Sequence, residues 1–359
     1  MKAEYVLSTI AFHVEIDDEL YESVDDYVRM NTCCNDLSVH RKYEKIIYYQ
    51  QNDEVFHELM QVFEKEGYIT VPYFKDRCGK KIMYKGKAIF IPDSGEWVME
   101  MDESECHIYV NSKCLYKGVF LLRILRDISQ GINEDIGRVF FHCSGAVIEN
   151  NGVLVMGEKG RGKTSLLLAM LSEKASILAN DRAFVDLGDS SCDIQAYGFP
   201  QAIRVGMGSY NACEKLVSYF KEHSFYREDA PLGSYDLDDK YLISLREICN
   251  CFNVQYQQNG SLKLILVPNI QIGSKEFKIQ ELSKDEKRVL LDKVCFTPDD
   301  ESFSYTWVYM PKTNVDMKVY NAQKIKDFII RNIPMIGFTF GTECKTYELF
   351  AEIKKYIHI

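Results

Sequence analysis

Gly157-Glu158-Lys159-Gly160-Arg161-Gly162-Lys163-Thr164 is the stretch around which the chain is organised. It reads G-x-x-x-x-G-K-T, the phosphate-binding loop pattern, and its flanks decide whether the pattern means anything. Before it, Val153-Leu154-Val155-Met156 is a short apolar run rich in β-branched residues, as in a buried strand. After it, Ser165 to Leu171 contains neither Gly nor Pro and runs to Glu173-Lys174, as a packed helix does. Strand, glycine loop and helix form the context that phosphate binding requires. Gly157, Gly160 and Gly162 let the backbone turn tightly and aim successive N–H groups inward, where the positive end of the helix also points. Lys163 is then expected on the β- and γ-phosphates, and the Thr164 hydroxyl on Mg²⁺. The plainer alternative is a glycine-rich turn with a surface lysine; the fit on both flanks favours a nucleoside triphosphate site.

A chain of 359 residues suggests two domains, or one large domain with an appendage. Its 46% hydrophobic share is enough for sizeable cores. The net charge of −10 and pI near 5.3 argue against general nucleic-acid binding, which needs a basic face. No apolar run is long enough to span a bilayer, and Met1 to Glu15 lacks the pattern of a signal peptide. Twelve cysteines are scattered: Cys33-Cys34 are adjacent, Cys249 and Cys251 form C-x-C, and there is no C-x₂-C pair. That spacing builds no zinc site, and it reads as buried reduced thiols in a cytoplasmic protein.

Residues 1 to 135 read as a β-rich α+β domain. Tyr5 to Val14 and Lys45 to Tyr49 are expected strands, His57 to Glu66 a helix, and Lys81 to Ile91 a hairpin turning at Lys85-Gly86 or Gly86-Lys87. Trp97 to Met101 and His107 to Val110 continue the strands, and Gly118 to Ile132 has helical spacing. Residues 136 to 359 read as a second, mixed α/β domain. Val139 to His142 and Ala146 to Ile148 are strand material before an Asn151-Gly152 turn into the P-loop strand. Ile177 to Asp181 is a strand ending in a carboxylate, followed by a strand from Ala183 to Leu187. Ser209 to Glu222 reads as a helix, residues 223 to 240 as a polar loop, and Leu262 to Val267 as a strand. Helices are expected over Ser283 to Cys295, Asn321 to Asn332 and Thr346 to Ile357, with a strand from Met335 to Phe340.

Two residues outside the loop are candidates for chemistry. Asp181 follows Thr164 by 17 residues, enough for one helix and a tight return to an adjacent strand. A carboxylate there can hold Mg²⁺ through water or take a proton from an attacking hydroxyl; a helix-capping Asp is the alternative. His142 lies 15 residues before Gly157, on the strand expected to pair with the P-loop strand. It is either part of the site or a satisfied core histidine.

His142, Gly157 to Thr164, Asn180-Asp181 and Ile203-Arg204 together resemble the catalytic core of the HPr kinase/phosphorylase family, over roughly residues 138 to 210. The resemblance implies a P-loop kinase of the phosphoenolpyruvate carboxykinase-like type, transferring the γ-phosphoryl group of ATP, or another nucleoside triphosphate, with Mg²⁺. The acceptor implied is a serine-type hydroxyl of a peptide, protein or small metabolite. In that reading Asp181, His142 and Lys163 are catalytic, and Thr164 and Asp181 hold the metal. Gly157, Glu158, Lys159, Gly160, Arg161, Gly162, Lys163, Thr164 and Ser165 line the nucleotide, with Arg204 on a phosphate or the substrate. The chain departs from the family at Asn180, where the first acid of a pair stands, and at Ala202, where a glutamate precedes Ile-Arg. It looks closer to divergent HPr kinase-like proteins, some of which phosphorylate peptides, with related enzymes acting on free serine. The alternatives are a catalytically reduced nucleotide-binding regulatory module and a generic P-loop ATPase. The N-terminal domain is expected to help select the acceptor, no nucleic-acid or membrane partner is expected, and the family admits a homo-oligomer.

Overall fold

The computed structural model describes residues 1–32, 41–74, 77–188, 193–222, 240–298 and 305–357. The chain is mixed α/β and divides into two compact units: Met1–Ile136 with Pro298–Val315, and Gly137–Thr297 with Asp316–Ile359. A single cut near residue 135 does not describe this division, because the 298–315 segment belongs with the first unit. The expected loop from 223, up to residue 239, and the Cys33-Cys34 pair lie outside the described residues. No described helix is long and apolar enough to cross a membrane.

In the first unit, the described strands form one sheet in the order Lys2–Leu7, Ile10–Ile16, Ile46–Gln51, Glu105–Val110, Trp97–Met101, Lys87–Pro92, Arg77–Tyr84 and Ile69–Phe74, with Arg41–Lys42 also paired to Ile10–Ile16. Strand alternation divides its side chains between two cores. Trp97, Met99, Ile108 and Val110 join Tyr5, Phe12 and Val14 beneath the helices Asp18–Thr32 and Lys117–Asp135. Val98 and Tyr109, one position out of step, pack with Ile89 and Ile91 under Phe56 and Phe63 of the helix Asp53–Lys65. The helix Asp18–Thr32 reaches the first core through Leu20, Val24 and Val28, a four-residue spacing on an otherwise acidic segment.

One sequence expectation changes here and another is met. Tyr5 to Val14 is not one strand: Ser8 (φ 47°) and Thr9 (φ 71°) take left-handed conformations and fold it into a tight hairpin, with Leu7 opposite Ile10. Both turn residues are fully buried. The Lys85-Gly86 turn forms as expected, with Tyr84 opposite Lys87.

In the second unit, Val139–Ile148 is one continuous strand. It pairs antiparallel with the P-loop strand Asn151–Met156 and with Arg182–Leu187. The hairpin turns at Glu149-Asn150 (φ 52° and 69°), not at Asn151-Gly152, because Ile148 pairs directly with Asn151. The sheet continues through Ile194–Gly198 to Asn259–Gln271, which also pairs in parallel with Asn151–Met156, so these strands close into a ring. Met335–Gly341 and Phe277–Glu281 extend the sheet from Asn259–Gln271. The span Ser209 to Glu222 is two short helices, Met207–Asn211 and Glu214–Glu222. Residues Lys240–Ile243 pair with Ile203–Gly206 in a separate two-stranded ribbon, and Leu245–Phe252 is a helix with a Ser244/Glu247 capping box.

Candidate active site

The P-loop strand is buried throughout Gly152 to Met156 and delivers the chain at Gly157 to the end of the sheet. There the loop turns into the helix Lys163–Ser172, whose residues Leu166 to Leu171 are all buried, so the helix is fixed by packing on every side. Gly162 caps the helix at φ 100°, and a Cβ there would lie 2.9 Å from Cβ of Ile270. Glycine is therefore required twice over at that position, by backbone conformation and by space. The amide of Ile270 donates to the carbonyl of Arg161 (3.1 Å), and the Arg161 guanidinium donates to Oδ1 of Asn269 (3.2 Å). The loop is thus fastened to the far end of Asn259–Gln271.

Lys163 curls back over the loop. Its ammonium donates to the carbonyl oxygens of Gly157 (2.6 Å) and Glu158 (3.0 Å). Burial lowers its pKa from the ordinary lysine value; Asp181 and Cys143 pull the other way, and Lys240 adds to the lowering. Thr164 is half-buried in the first helical turn. Ser165 exchanges a hydrogen bond with Ser209 (2.7 Å), tying the P-loop helix to the helix that leaves the two-stranded ribbon. The Glu158 carboxylate lies 3.2 Å from the Lys293 ammonium and 3.9 Å from the Arg161 guanidinium.

The hairpin register puts Cys143 opposite Met156, so His142 stands beside the point where the P-loop begins. His142 also pairs with Arg182 across the next strand, directly after Asp181. Nδ1 of His142 is 3.7 Å from Oδ1 of Asp181, while Nε of Arg182 is 3.6 Å from Oδ2. Asp181 takes φ 74°, and its carbonyl accepts from the amide of Cys143 (3.1 Å), which holds the reversal between Ser176–Ala179 and Arg182–Leu187 in place. The Arg182 guanidinium is buried over the rings of Phe140 (5.4 Å) and Phe296 (5.2 Å), and Phe296 meets the His142 imidazole edge-on. Burial lowers the pKa of His142, against the opposing pull of Asp181. Burial likewise pushes the Cys143 thiol far up, so it stays protonated.

His142, Lys163 and Asp181 are therefore brought together, with Thr164 on the adjoining helical turn. Asn180 is buried, and its carbonyl accepts from the side chain of Gln201 (2.9 Å). Arg204 is exposed on the ribbon, opposite Leu242. Arg182, Lys240, Lys293 and Phe296 were not expected here. No sequence signal marks the last three, while Arg182 stands next to Asp181 as a strand residue whose burial only the fold reveals. Among the described residues no group of three or more His, Cys, Asp or Glu side chains converges as a metal cage. A Mg²⁺ ion does not need one: it commonly binds one or two carboxylates together with substrate phosphates and water. Asp181 offers one such carboxylate, and the Thr164 hydroxyl lies in the first turn of the P-loop helix.

No protein-family model matches this chain, and no curated protein matches it. Among solved structures, it is similar to the HPr(Ser) kinase/phosphatase from Coxiella burnetii. That similarity is at 11% identity and a TM-score of 0.26, covering 61% of this chain and 93% of the other. A likeness at that level leaves the functional reading to the residues of the site.

Proposed function

We propose that this protein binds a nucleoside triphosphate, ATP by expectation, and transfers its γ-phosphoryl group to a serine-type hydroxyl of a peptide, protein or small metabolite. One observation carries the reading: the Lys163 ammonium lies inside a glycine loop at the start of a buried helix, within electrostatic reach of the Asp181 carboxylate. The loop amides and Lys163 stabilise charge on the phosphates as the bond to the leaving oxygen loosens. Mg²⁺ held by Thr164 and Asp181, when bound, would neutralise further phosphate charge. Asp181 orients the acceptor hydroxyl and takes its proton, and His142, kept neutral by burial, holds that carboxylate in place. Phosphoryl transfer depends chiefly on positioning and electrostatics, so a single carboxylate is compatible with it.

The test is transfer of labelled phosphate from ATP to candidate acceptors, comparing the wild type with Asp181→Asn and Lys163→Met. Transfer that both substitutions abolish supports the proposal. A second reading, a nucleotide-binding regulatory module, is favoured by the neutral, buried Asn180 beside Asp181. Tight nucleotide binding with neither transfer nor hydrolysis selects that reading.

A further inference from the structure

We infer that Lys240 is a γ-phosphate-binding residue of this site, so that a second side-chain ammonium recognises the terminal phosphate of a nucleoside triphosphate. The inference rests on the nucleotide-binding reading above and adds a residue which that reading does not contain.

Three structural facts converge on Lys240. It opens the strand Lys240–Ile243 and pairs with Gly206, the last residue of Ile203–Gly206. From Gly206 the chain passes directly into the helix Met207–Asn211, whose Ser209 hydroxyl is hydrogen-bonded to Ser165, two residues beyond Lys163. The ribbon end that carries Lys240 is thereby anchored to the first turn of the P-loop helix. A Cβ added at Gly206 would meet nothing within 4 Å, so space is open across from Lys240, and Lys240 is exposed. Directly opposed residues share a face of the ribbon, as do residues two apart along a strand. Arg204 therefore lies on the same face as Lys240.

The electrostatics agree with this placement. Lys240 acts electrostatically on both the His142 imidazole and the Lys163 ammonium, which agrees with a position near the start of the P-loop helix. Lys163 and Arg182 bring two positive charges to Asp181 and Lys240 adds a third beside Lys163, while Glu158 is engaged by Lys293 and Arg161. Asp181 offsets one of these positive charges, and a polyphosphate with its full terminal charge would offset the remainder. A lysine acts on phosphate as a compact point charge, which suits a group whose terminal oxygens must be free to move during transfer.

The experiment is competitive titration of a fluorescent ATP analogue with ATP and with ADP, on the full-length wild type, Lys240→Ala, Lys240→Gln and Lys240→Arg. Thermal unfolding of each variant confirms that it folds. The expected result is a loss of about tenfold or more in the preference for ATP over ADP for the Ala and Gln variants, as a charge-assisted contact of typical strength implies. ADP affinity stays within about twofold of wild type, and the Arg variant retains part of the preference. An unchanged ATP-to-ADP ratio in both neutral variants overturns the role of Lys240 while leaving the nucleotide site standing. Failure of the wild type to bind either nucleotide at saturating concentration overturns both.

Discussion

Nδ1 of His142 faces Oδ1 of Asp181 at 3.7 Å, across a strand reversal that Asp181 itself makes with a positive φ. The carboxylate is bracketed on its other side by Arg182. Burial is the largest influence on the imidazole and lowers its pKa below the ordinary value of 6.5. The unfolded chain therefore binds a proton at His142 before the folded protein does. Stability from this residue is complete above the unfolded pKa and is lost as the pH falls through the folded one. His142→Gln removes this loss. The denaturant midpoint of the wild type is expected to fall more between pH 7.5 and pH 5.5 than that of the variant; parallel curves refute the assignment. Phosphoryl transfer by the same variant is expected to drop by about tenfold to 100-fold, with nucleotide affinity nearly unchanged.

Lys163 sits in a position that suits phosphate better than it suits the empty protein. Its ammonium is partly desolvated, with loop carbonyls for company. Lys163→Met is expected to weaken ATP binding by about 100-fold, the effect of removing a charge-assisted contact. The thermal midpoint should stay close to that of the wild type, because removing a desolvated cation offsets the loss of its hydrogen bonds to the Gly157 and Glu158 carbonyls. Calorimetric titration and thermal unfolding of one preparation check both halves, and a large drop in midpoint would count against the described geometry.

Gly160 and Gly162 offer an internal comparison. Both have positive φ, at 81° and 100°, but a Cβ at Gly160 meets nothing within 4 Å, whereas one at Gly162 runs into Ile270. Gly160→Ala is expected to cost about 1 kcal/mol of stability, the backbone strain alone. Gly162→Ala should cost roughly 2–4 kcal/mol, since strain and overpacking add. Equal costs in chemical denaturation would mean that Ile270 does not press on the helix cap.

In the first unit, the indole of Trp307 donates to Oδ2 of Asp127 (2.9 Å), which also accepts from Arg123 (2.8 Å). Both Trp307 and Asp127 are buried. Asp127→Ala leaves an indole donor and a guanidinium without their shared acceptor, and is expected to cost about 3–5 kcal/mol. Trp307→Phe keeps the Arg123 contact and should cost less. The two variants together bring the double-substituted chain closer to the Asp127→Ala value than to the sum, because both changes break one contact. Additive costs would show that the contact is not shared.

The strand, loop and helix around Gly157 to Thr164 were legible because local chemistry specifies them: an apolar run, glycines where the backbone must reverse, and an unbroken helix former. Asp181 was legible as a strand-end acid, and His142 through the hairpin that follows it. The Ser8-Thr9 hairpin was not, since neither residue advertises a left-handed conformation and both are held there by burial. Arg182 carries no such local mark, because its burial depends on Phe140 and Phe296, which come from stretches far apart in sequence. Lys240 was hidden for the same reason: its strand finds Ile203–Gly206 across a separation that no local pattern records. The helix Asp18–Thr32 escaped because three apolar residues on one face are outnumbered by acids on the others.

The return of Pro298–Val315 to the first unit has a practical consequence for dissecting the chain. Neither unit is encoded by one unbroken stretch of gene. A fragment beginning at Gly137 carries Trp307 away from Asp127, and Tyr305 away from the buried carboxylate of Glu134, to which it donates at 2.6 Å. The complementary fragment ending at Ile136 keeps those acids and loses the Trp307 and Tyr305 donors, while Arg123 stays on Asp127. Truncation series will therefore yield insoluble pieces at boundaries that look natural on paper. A working two-piece system has to graft residues 298–315 back onto the N-terminal portion, with a short linker bridging the gap left in the other.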